Sequence, residues 1–437
     1  MSFEPIRAKG LPPLPKIKQI AILVDDENYS QVDLYAQIIL RELPSDPHAN
    51  LACAWVAKHF NLKSAFDVYF EKANNADRAI NDLAADLHIN LDSLHTPFTP
   101  VSTKIEHIKN QNLCPQFHLI KAWGFGFGSE MASLMGQTYL AEITGRTPVV
   151  HWGKNFLYRG DGTSCVFHHF FKPFNDLSLN GLLESKPQNI FPPKWTQDNL
   201  LNENVAKREG SFSKMSALYY LNCEQTVSVA DYYAGVINIQ PWLPQGHVLR
   251  ELNFDETYRY LAKKYLRPQD FIQTLADDFI RDHLSIPFLA VHARGSDKDE
   301  GYRAMTSIPM RTLEYAKQRL AAMPQKTKLF LMTDDEALLK KYQLEFGQRL
   351  VTTNSQRSSS ATGVHYDPNS NKRSAGQEML IDMLIAAKAT CFIGLGLSNP
   401  SQLICYFGNF SKENYILFGE NRLKQFNTHL YKTVAVR

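Results

Sequence analysis

The period of the apolar positions changes along this chain, and the changes divide it. From about Val32 to Leu87 the spacing is helical: Leu62, Phe66, Tyr69, Phe70 and Ala73 fall at i, i+4, i+7, i+8 and i+11, one face of a helix. A Pro-rich extended arm precedes this region (Pro5, Pro12, Pro13, Pro15), and the apolar run from Gln19 to Val24 predicts a short strand. A polar, turn-rich stretch from Asn90 to Pro115 then marks a boundary. Beyond it, apolar runs of strand length alternate with helical segments. A strand is predicted over His118 to Trp123, a glycine turn over Gly124 to Glu130, a helix over Met131 to Ile143 and a strand over Thr147 to Trp152, the order of an α/β unit. Further strands are predicted at Ala217 to Leu221 and Val227 to Val229. A linker helix carrying Phe271, Ile272, Leu275, Phe279 and Ile280 on one face leads out of this half.

From Phe288 onward strands and helices alternate regularly. Strands are predicted at Phe288 to Ala293, Lys328 to Met332, Arg349 to Thr352, Thr390 to Gly394 and Tyr415 to Phe418. Helices open near Pro309 and span Glu336 to Phe346, Ala375 to Lys388 and Pro400 to Phe407. Alternation of this kind builds a doubly wound parallel sheet. The Ser-rich stretch from Thr353 to Lys372 has no period of its own and is a candidate lid. The expected fold is therefore α/β, with two Rossmann-like domains facing a cleft and an extra, mainly helical N-terminal region. The expected units are residues 1–112, 113–265 on the acceptor side and 266–437 on the nucleotide side.

Composition narrows the function. The 437 residues include 47 Lys plus Arg against 44 Asp plus Glu, a net charge of +3, too small for a nucleic-acid footprint. No apolar run reaches the length of a membrane span, and the first residues lack a secretory pattern, so a cytoplasmic protein is expected. Six cysteines stand far apart with no C-x-x-C pair, as in reduced thiols. Cys165, His168 and His169 have no second ligand pair at zinc spacing.

In parallel sheets of this type ligands bind beyond the carboxyl ends of the strands. Those ends are polar here. One strand runs into H-A-R-G-S-D-K-D-E, another into T-D-D and a third into L-G-L-S-N-P-S-Q, which brings Arg294, Lys298, Asp334, Asp335, Ser398, Ser401 and Gln402 to neighbouring positions. Cations, hydroxyls and a helix N-terminus near Pro400 are what a phosphate or diphosphate requires. Glu378 and Asp382 lie on a helix from which a carboxylate could meet the N–H edge of a base.

The order V-H-A-R-G-S-D-K (Val291 to Lys298), L-F-L-M-T-D-D (Leu329 to Asp335), M-L-I-D-M-L-I-A-A-K-A-T-C-F-I-G (Met379 to Gly394) and S-Q (Ser401, Gln402) resembles the fucosyltransferase superfamily that uses GDP-fucose. The α-1,6-fucosyltransferases are the most similar. G-F-G-S-E (Gly126 to Glu130) followed by T-G-R-T-P-V-V (Thr144 to Val150) is similar to the same family's first strand-loop-helix-strand. The resemblance covers about residues 118–155 and 286–407 and leaves the first 110 unexplained.

The resemblance implies a GT-B arrangement and an inverting, metal-independent transfer of a sugar, fucose in that family, from GDP to a glycan hydroxyl. Arg294 then corresponds to the arginine on the donor β-phosphate and His292 and Asp382 to residues around guanine. Ser401 and Gln402 correspond to phosphate contacts. Asp334, Asp335, Ser398, Gly126, Gly128 and Ser129 complete the donor-binding set. No cofactor is implied beyond the GDP-sugar itself, and the acceptor is an oligosaccharide or glycoconjugate. A homo-oligomer is compatible with the chain. Two departures stand out. Gly295 replaces a second basic residue frequent in the α-1,6 enzymes, and the family's proposed base has no gap-free match. Glu300 is the nearest acid, with Asp297 and Asp299 competing and Lys298 beside them.

Three other readings fit parts of the pattern: the same fold with another nucleotide-sugar, a catalytically silent nucleotide- or glycan-binding protein, and an NAD-dependent oxidoreductase. The last is weakened by Ser129, which stands where a G-x-G-x-x-G fingerprint needs its final glycine. Paired acids such as Asp334 and Asp335 before a helix are also ordinary cap residues.

Overall fold

A computed structural model describes residues 16–98, 115–160, 165–187, 189–202, 217–221, 223–243, 246–295, 308–358, 364, 367, 370–419 and 423. Among the described residues six helices come first: α1 (Ile17–Asp25), α2 (Tyr29–Glu42), α3 (Pro47–His59), α4 (Lys63–Asn74), α5 (Ile80–Asp86) and α6 (Leu91–His95). Their apolar faces close a core of their own around Val32, Leu51, Val56, Phe66, Tyr69 and Leu83. Asp46 and Pro47 start α3 as cap and first-turn residue, the Asp46 carboxylate accepting the Ala49 N–H at 2.8 Å.

The predicted strand over Gln19 to Val24 is instead part of α1. Its apolar run is too short for periodicity to decide between strand and buried helix. Ile20, Ala21 and Val24 share one helical face, and the Gln19 side chain accepts the Lys16 N–H at 2.8 Å to start the first turn.

Two parallel sheets follow. In the first, β1 (Phe117–Lys121) leads through α7 (Phe127–Ile143) to β2 (Thr147–His151), then α8 (Leu179–Glu184), β3 (Ile190–Phe191), α9 (Ala217–Leu221), β4 (Val227–Ala230) and α10 (Val236–Ile239). Helices α11 (Phe254–Tyr265) and α12 (Asp270–His283) connect to the second sheet, in which β5 (Leu289–His292), α13 (Ile308–Ala321), β6 (Leu329–Met332), α14 (Glu336–Phe346), β7 (Leu350–Val351), α15 (Lys372–Ala387), β8 (Cys391–Leu395), α16 (Asn399–Phe407) and β9 (Tyr415–Phe418) alternate. The strand orders are β2-β1-β4-β3 and β7-β6-β5-β8-β9, with every pairing parallel. The architecture is two Rossmann-like α/β units plus a helical unit.

Three local differences from the sequence reading have physical causes. Ala217 to Leu221 is helix α9 rather than a strand, because Ala217, Leu218 and Tyr220 bury one helical face and Leu218 enters the core of the helical unit. Strand β3, absent from the sequence reading, has only two residues and offers no period to detect. On α12 the buried positions are Ile272 and Ala276, while Phe271 and Leu275 remain about half exposed at 48% and 51%, so the inward face is rotated from the predicted one.

The two α/β units share one apolar core. Phe127, Trp152, Phe156, Phe170 and Phe171 of the first join Phe288, Phe330, Met383 and Phe392 of the second. Polar contacts reinforce the join: the Arg373 guanidinium donates to the Arg159 carbonyl (3.1 Å), Gln377 to the His169 carbonyl (3.2 Å) and the Tyr406 hydroxyl to Asp255 (3.1 Å). Among the described residues no helix is long and apolar enough to cross a membrane.

Candidate functional site

In each sheet the chain fills one side, then crosses to the other. That reversal leaves a crevice between β1 and β4 in the first sheet and between β5 and β8 in the second. Such switch points are where ligands enter doubly wound sheets.

At the second crevice β5 ends in His292, followed by Ala293, Arg294 and Gly295. His292 is buried, its Nδ1 2.7 Å from the Ser401 Oγ, which also accepts the Leu395 N–H at 3.0 Å. Burial pushes the imidazole down to about 4, Arg294 adding to the effect and Asp334 opposing it, so His292 is neutral near pH 7. It acts as a strut joining the end of β5 to α16. Gln402 is equally buried and donates its amide to the Gly396 carbonyl, bracing the turn between β8 and α16. The side chains of His292, Ser401 and Gln402 thus hold the crevice in shape.

The N-terminus of α16 has a different character. Ser398 is its N-cap, yet its hydroxyl oxygen accepts no cap hydrogen bond, and Pro400 in the first turn has no N–H to donate to it. Among the described residues the Ser398 Oγ, Asn399 Oδ1 and Gln402 Oε1 are buried with no hydrogen-bond partner. Buried polar atoms are ordinarily satisfied, so three at one helix end, on the crevice beside half-buried Arg294, mark a place built for an additional polar group.

Asp334 and Asp335 separate in role. Asp335 is the N-cap of α14, its carboxylate accepting the Leu338 N–H at 2.9 Å, while Asp334 accepts the Gly295 N–H at 3.3 Å and lies close enough to His292 to raise its pKa. A Cβ on Gly295 would lie 2.2 Å from the Asp335 Oδ2 and 2.7 Å from its Cγ. A basic side chain after Arg294 would therefore dislodge the α14 cap, which gives Gly295 a packing reason.

Asp382 sits in a second polar cluster. Its buried carboxyl accepts from the Thr353 hydroxyl (2.7 Å) and the Ser355 hydroxyl (3.0 Å), and Glu378 accepts the Gln356 N–H (2.8 Å). The Arg357 guanidinium closes the loop by donating to the carbonyls of Thr353 and Ser355. Burial pushes Asp382 up to about 7, against the two hydroxyls and Arg357, with Glu378 adding to it. The His292 and Asp382 side chains are thus held by different partners. The first residues of the candidate lid, Thr353 to Ser358, are pinned onto α15, and Ser358 also bridges to Asp335. Most of the remainder of that loop lies outside the described residues, as do Asp297, Lys298, Asp299 and Glu300. Among the described residues no group of three His, Cys, Asp or Glu side chains is placed to hold a metal ion.

At the first crevice the glycine turn is already occupied. The buried Glu130 carboxylate accepts the backbone N–H groups of Trp123 (3.2 Å), Gly124 (2.5 Å) and Phe125 (3.3 Å). A phosphate cradled by this turn would need those donors, so Glu130 opposes the dinucleotide reading on physical grounds. Gly126 is the N-cap of α7, and the Ser129 N–H bonds back to its carbonyl at 2.8 Å. Gly128 serves close packing: a Cβ there would lie 2.6 Å from the Pro400 Cδ, which puts the first turns of α7 and α16 side by side. The two crevices therefore meet. Glu130, Asn399 and the Thr353/Ser355/Arg357 loop were not singled out in the sequence as site residues. Only Glu130 left a signal, an acid in the first turn after a glycine run.

No protein family and no curated protein matches the chain. Among solved structures it is similar to a NodZ α-1,6-fucosyltransferase crystallised with GDP (18% identity, covering 67% of this chain and 91% of that one, TM-score 0.46). It is likewise similar to fucosyltransferase NodZ from Bradyrhizobium (19%, 67% and 92%, 0.47) and to POFUT1 in complex with GDP (16%, 70% and 99%, 0.40). These are proteins of the kind the sequence motifs resemble, and the function of this chain is read from its own residues.

Proposed function

We propose that the protein is a glycosyltransferase that binds a GDP-sugar at the β5–β8 crevice and transfers the sugar, fucose by the motif resemblance, to a glycan hydroxyl with inversion and without a metal. The observation that carries this reading is the Ser398 hydroxyl at the N-terminus of α16, beside Arg294, which is buried and has no hydrogen-bond partner among the described residues. A diphosphate supplies oxygens that accept from the Ser398 hydroxyl and from the helix amides, and its charge suits both the helix end and the guanidinium.

In the reaction the acceptor oxygen forms a bond to the anomeric carbon from the face opposite GDP. The bond between that carbon and the β-phosphate oxygen breaks, and its electron pair leaves with GDP. Arg294 stabilises the charge that develops there, while the acceptor proton passes to a carboxylate, assigned to Glu300 or Asp297. Asp382 in its ionised form accepts the two N–H groups on the guanine edge, which disfavours uridine and adenosine nucleotides.

Thermal unfolding in EDTA with GDP, UDP, ADP, CMP or NAD tests this directly, since a ligand at 100 times its dissociation constant stabilises by about 2.7 kcal/mol. A shift with GDP alone, lost in Arg294→Ala, is the expected result; no GDP shift, or one that needs Mg²⁺ or Mn²⁺, overturns it. Release of GDP from GDP-fucose then separates an enzyme from a silent binder, which releases none.

A further inference from the structure

We infer that the seam between the two α/β units holds a binding site for a phosphate-type oxyanion, formed by Arg373 of the second unit and by His168 and His169 of the first. The site is separate from both crevices and does not depend on the donor assignment above.

Arg373 lies in the first turn of α15, and the two histidines belong to a single 3-10 turn, Phe167–His169, in the segment after β2. The Arg373 guanidinium reaches across the seam to the Arg159 carbonyl at 3.1 Å and lies over Gly160, whose φ of +71° suits glycine; a Cβ there would stand 3.5 Å from the Arg373 Nη2. The His168 and His169 ring centroids are 4.3 Å apart, and Arg373 is near enough for its charge to act on His169. Contacts on the backbone hold the three groups together. Gln377 of α15 donates to the His169 carbonyl at 3.2 Å, and Gln269 donates to the carbonyls of His168 (2.8 Å) and Phe171 (3.1 Å). Gly376 lets α15 close onto this segment, since a Cβ there would lie 2.9 Å from the Phe170 Cε1. His168 is exposed and His169 and Arg373 are half-buried, so the cluster is open to solvent.

Among the described residues these three groups have no carboxylate partner. The neighbouring acids are engaged elsewhere: Asp270 pairs with Lys172 at 2.5 Å, Glu378 accepts the Gln356 N–H, and Asp367 acts on Lys372. The Arg373 Nε is a buried donor without a partner among the described residues. Burial, then His168 and Arg373, hold the His169 imidazole below its ordinary range, as happens where cationic groups gather without a counter-charge. A phosphate-type oxyanion answers each of these features. It accepts from the guanidinium and from the imidazole N–H groups, and its charge offsets theirs. A metal ion does not fit, because two histidines are too few ligands and Arg373 repels a cation. Since the donors come from both units, the bound anion ties one unit to the other.

The test follows the His168 and His169 ring signals by NMR in the full chain, each assigned with its own histidine-to-glutamine variant, during titration with inorganic phosphate or glycerol 3-phosphate against chloride at constant ionic strength. Saturable shifts of both rings with a dissociation constant of about 1 mM or tighter are expected, together with an upward move of the His169 titration midpoint. The probe that binds more tightly tells whether the ligand is the free ion or an ester. Arg373→Gln should weaken binding about tenfold and Arg373→Lys by less, since an ammonium keeps the charge but not the fork. Thermal unfolding without phosphate reports that both variants fold. Arg294→Ala should leave the response unchanged, which separates this site from the donor crevice. No saturable shift with either probe, a response as strong in Arg373→Gln as in wild type, or one lost in Arg294→Ala overturns the site. Absence of a GDP shift would sink the donor reading alone, and the phosphate titration would still decide this one.

Discussion

The two crevices share an architecture and differ in what fills them. Each lies at the switch point of a parallel sheet, and each has on its first strand a buried histidine hydrogen-bonded to a serine, His118 to Ser228 and His292 to Ser401, both at 2.7 Å. Burial pushes both imidazoles down to about 4. In the first sheet the chain satisfies its own strand ends: Glu130 occupies the glycine turn, and a buried Lys194–Asp231 ion pair at 2.9 Å closes the end of β4. In the second, Ser398, Asn399 and Gln402 keep buried atoms that have no partner among the described residues. Topology alone therefore offers two equivalent anion sites, and the residues at the strand ends decide which one is open.

The strongest challenge to that contrast is Arg294→Ala. If the second crevice takes the diphosphate, turnover with GDP-fucose should fall by about two to three orders of magnitude, the size typical of losing one preorganised charge stabiliser. Arg294→Lys should recover only part, because an ammonium keeps the charge but not the two-pronged geometry. Steady-state kinetics decide it: an effect on KM with kcat unchanged would make Arg294 a general binding residue and remove its transition-state role.

Glu130→Ala attacks the other half. It strands the N–H groups of Trp123, Gly124 and Phe125 in a largely buried turn and should cost about 3 kcal/mol of stability. Denaturant unfolding measures this, and formate added to the variant should restore part of the loss by taking the carboxylate's place. A variant as stable as wild type would mean that those donors are not held by Glu130, and the first crevice would again be open to phosphate.

Much of this was legible in the sequence. The alternation from Phe288 onward is regular enough that the strand predicted over Tyr415 to Phe418 coincides with β9, and Arg294 and Ser398 were marked because they follow strands. Short apolar runs were not legible. Residues 19–24 and 217–221 lack the length that separates a strand from a buried helical turn, and two-residue β3 has no period at all. Occupancy was the deeper gap. That Glu130 folds back onto its own turn while Ser398 leaves its cap unused depends on side-chain placement, which spacing does not encode.

Asp382 sharpens the nucleotide side through pH. Burial raises its folded-state pKa to about 7, well above the ordinary carboxylate range, so near pH 5 to 6 the native chain binds a proton that the unfolded chain has released. Stability should therefore fall as pH rises from about 4 to about 7, by an amount on the order of a few kcal/mol, and Asp382→Asn should flatten that slope. Asp33, buried in the helical unit and raised to about 8, tilts the same curve, so Asp33→Asn serves as the parallel control. GDP affinity should move the opposite way, weakening below pH 7 in wild type and in Asp33→Asn. Calorimetry showing GDP affinity independent of pH between 5 and 8 would detach Asp382 from the guanine.

The smallest effect gives the cleanest contrast, because each half has a serine at a helix N-cap. Ser178 caps α8 in the ordinary way, its hydroxyl accepting the Gly181 N–H at 3.1 Å. Ser178→Ala should therefore cost about 1 kcal/mol of stability and leave GDP affinity alone. Ser398 caps nothing among the described residues, so Ser398→Ala removes a buried hydroxyl with no partner among them to lose. The ligand-free protein should keep its stability or gain slightly, while GDP affinity falls about five- to tenfold, the worth of one hydrogen bond. Thermal unfolding with and without GDP reads both quantities on both variants. Should Ser398→Ala destabilise the free protein as Ser178→Ala does, with GDP affinity intact, its hydroxyl would be an ordinary cap and the difference between the two crevices would disappear.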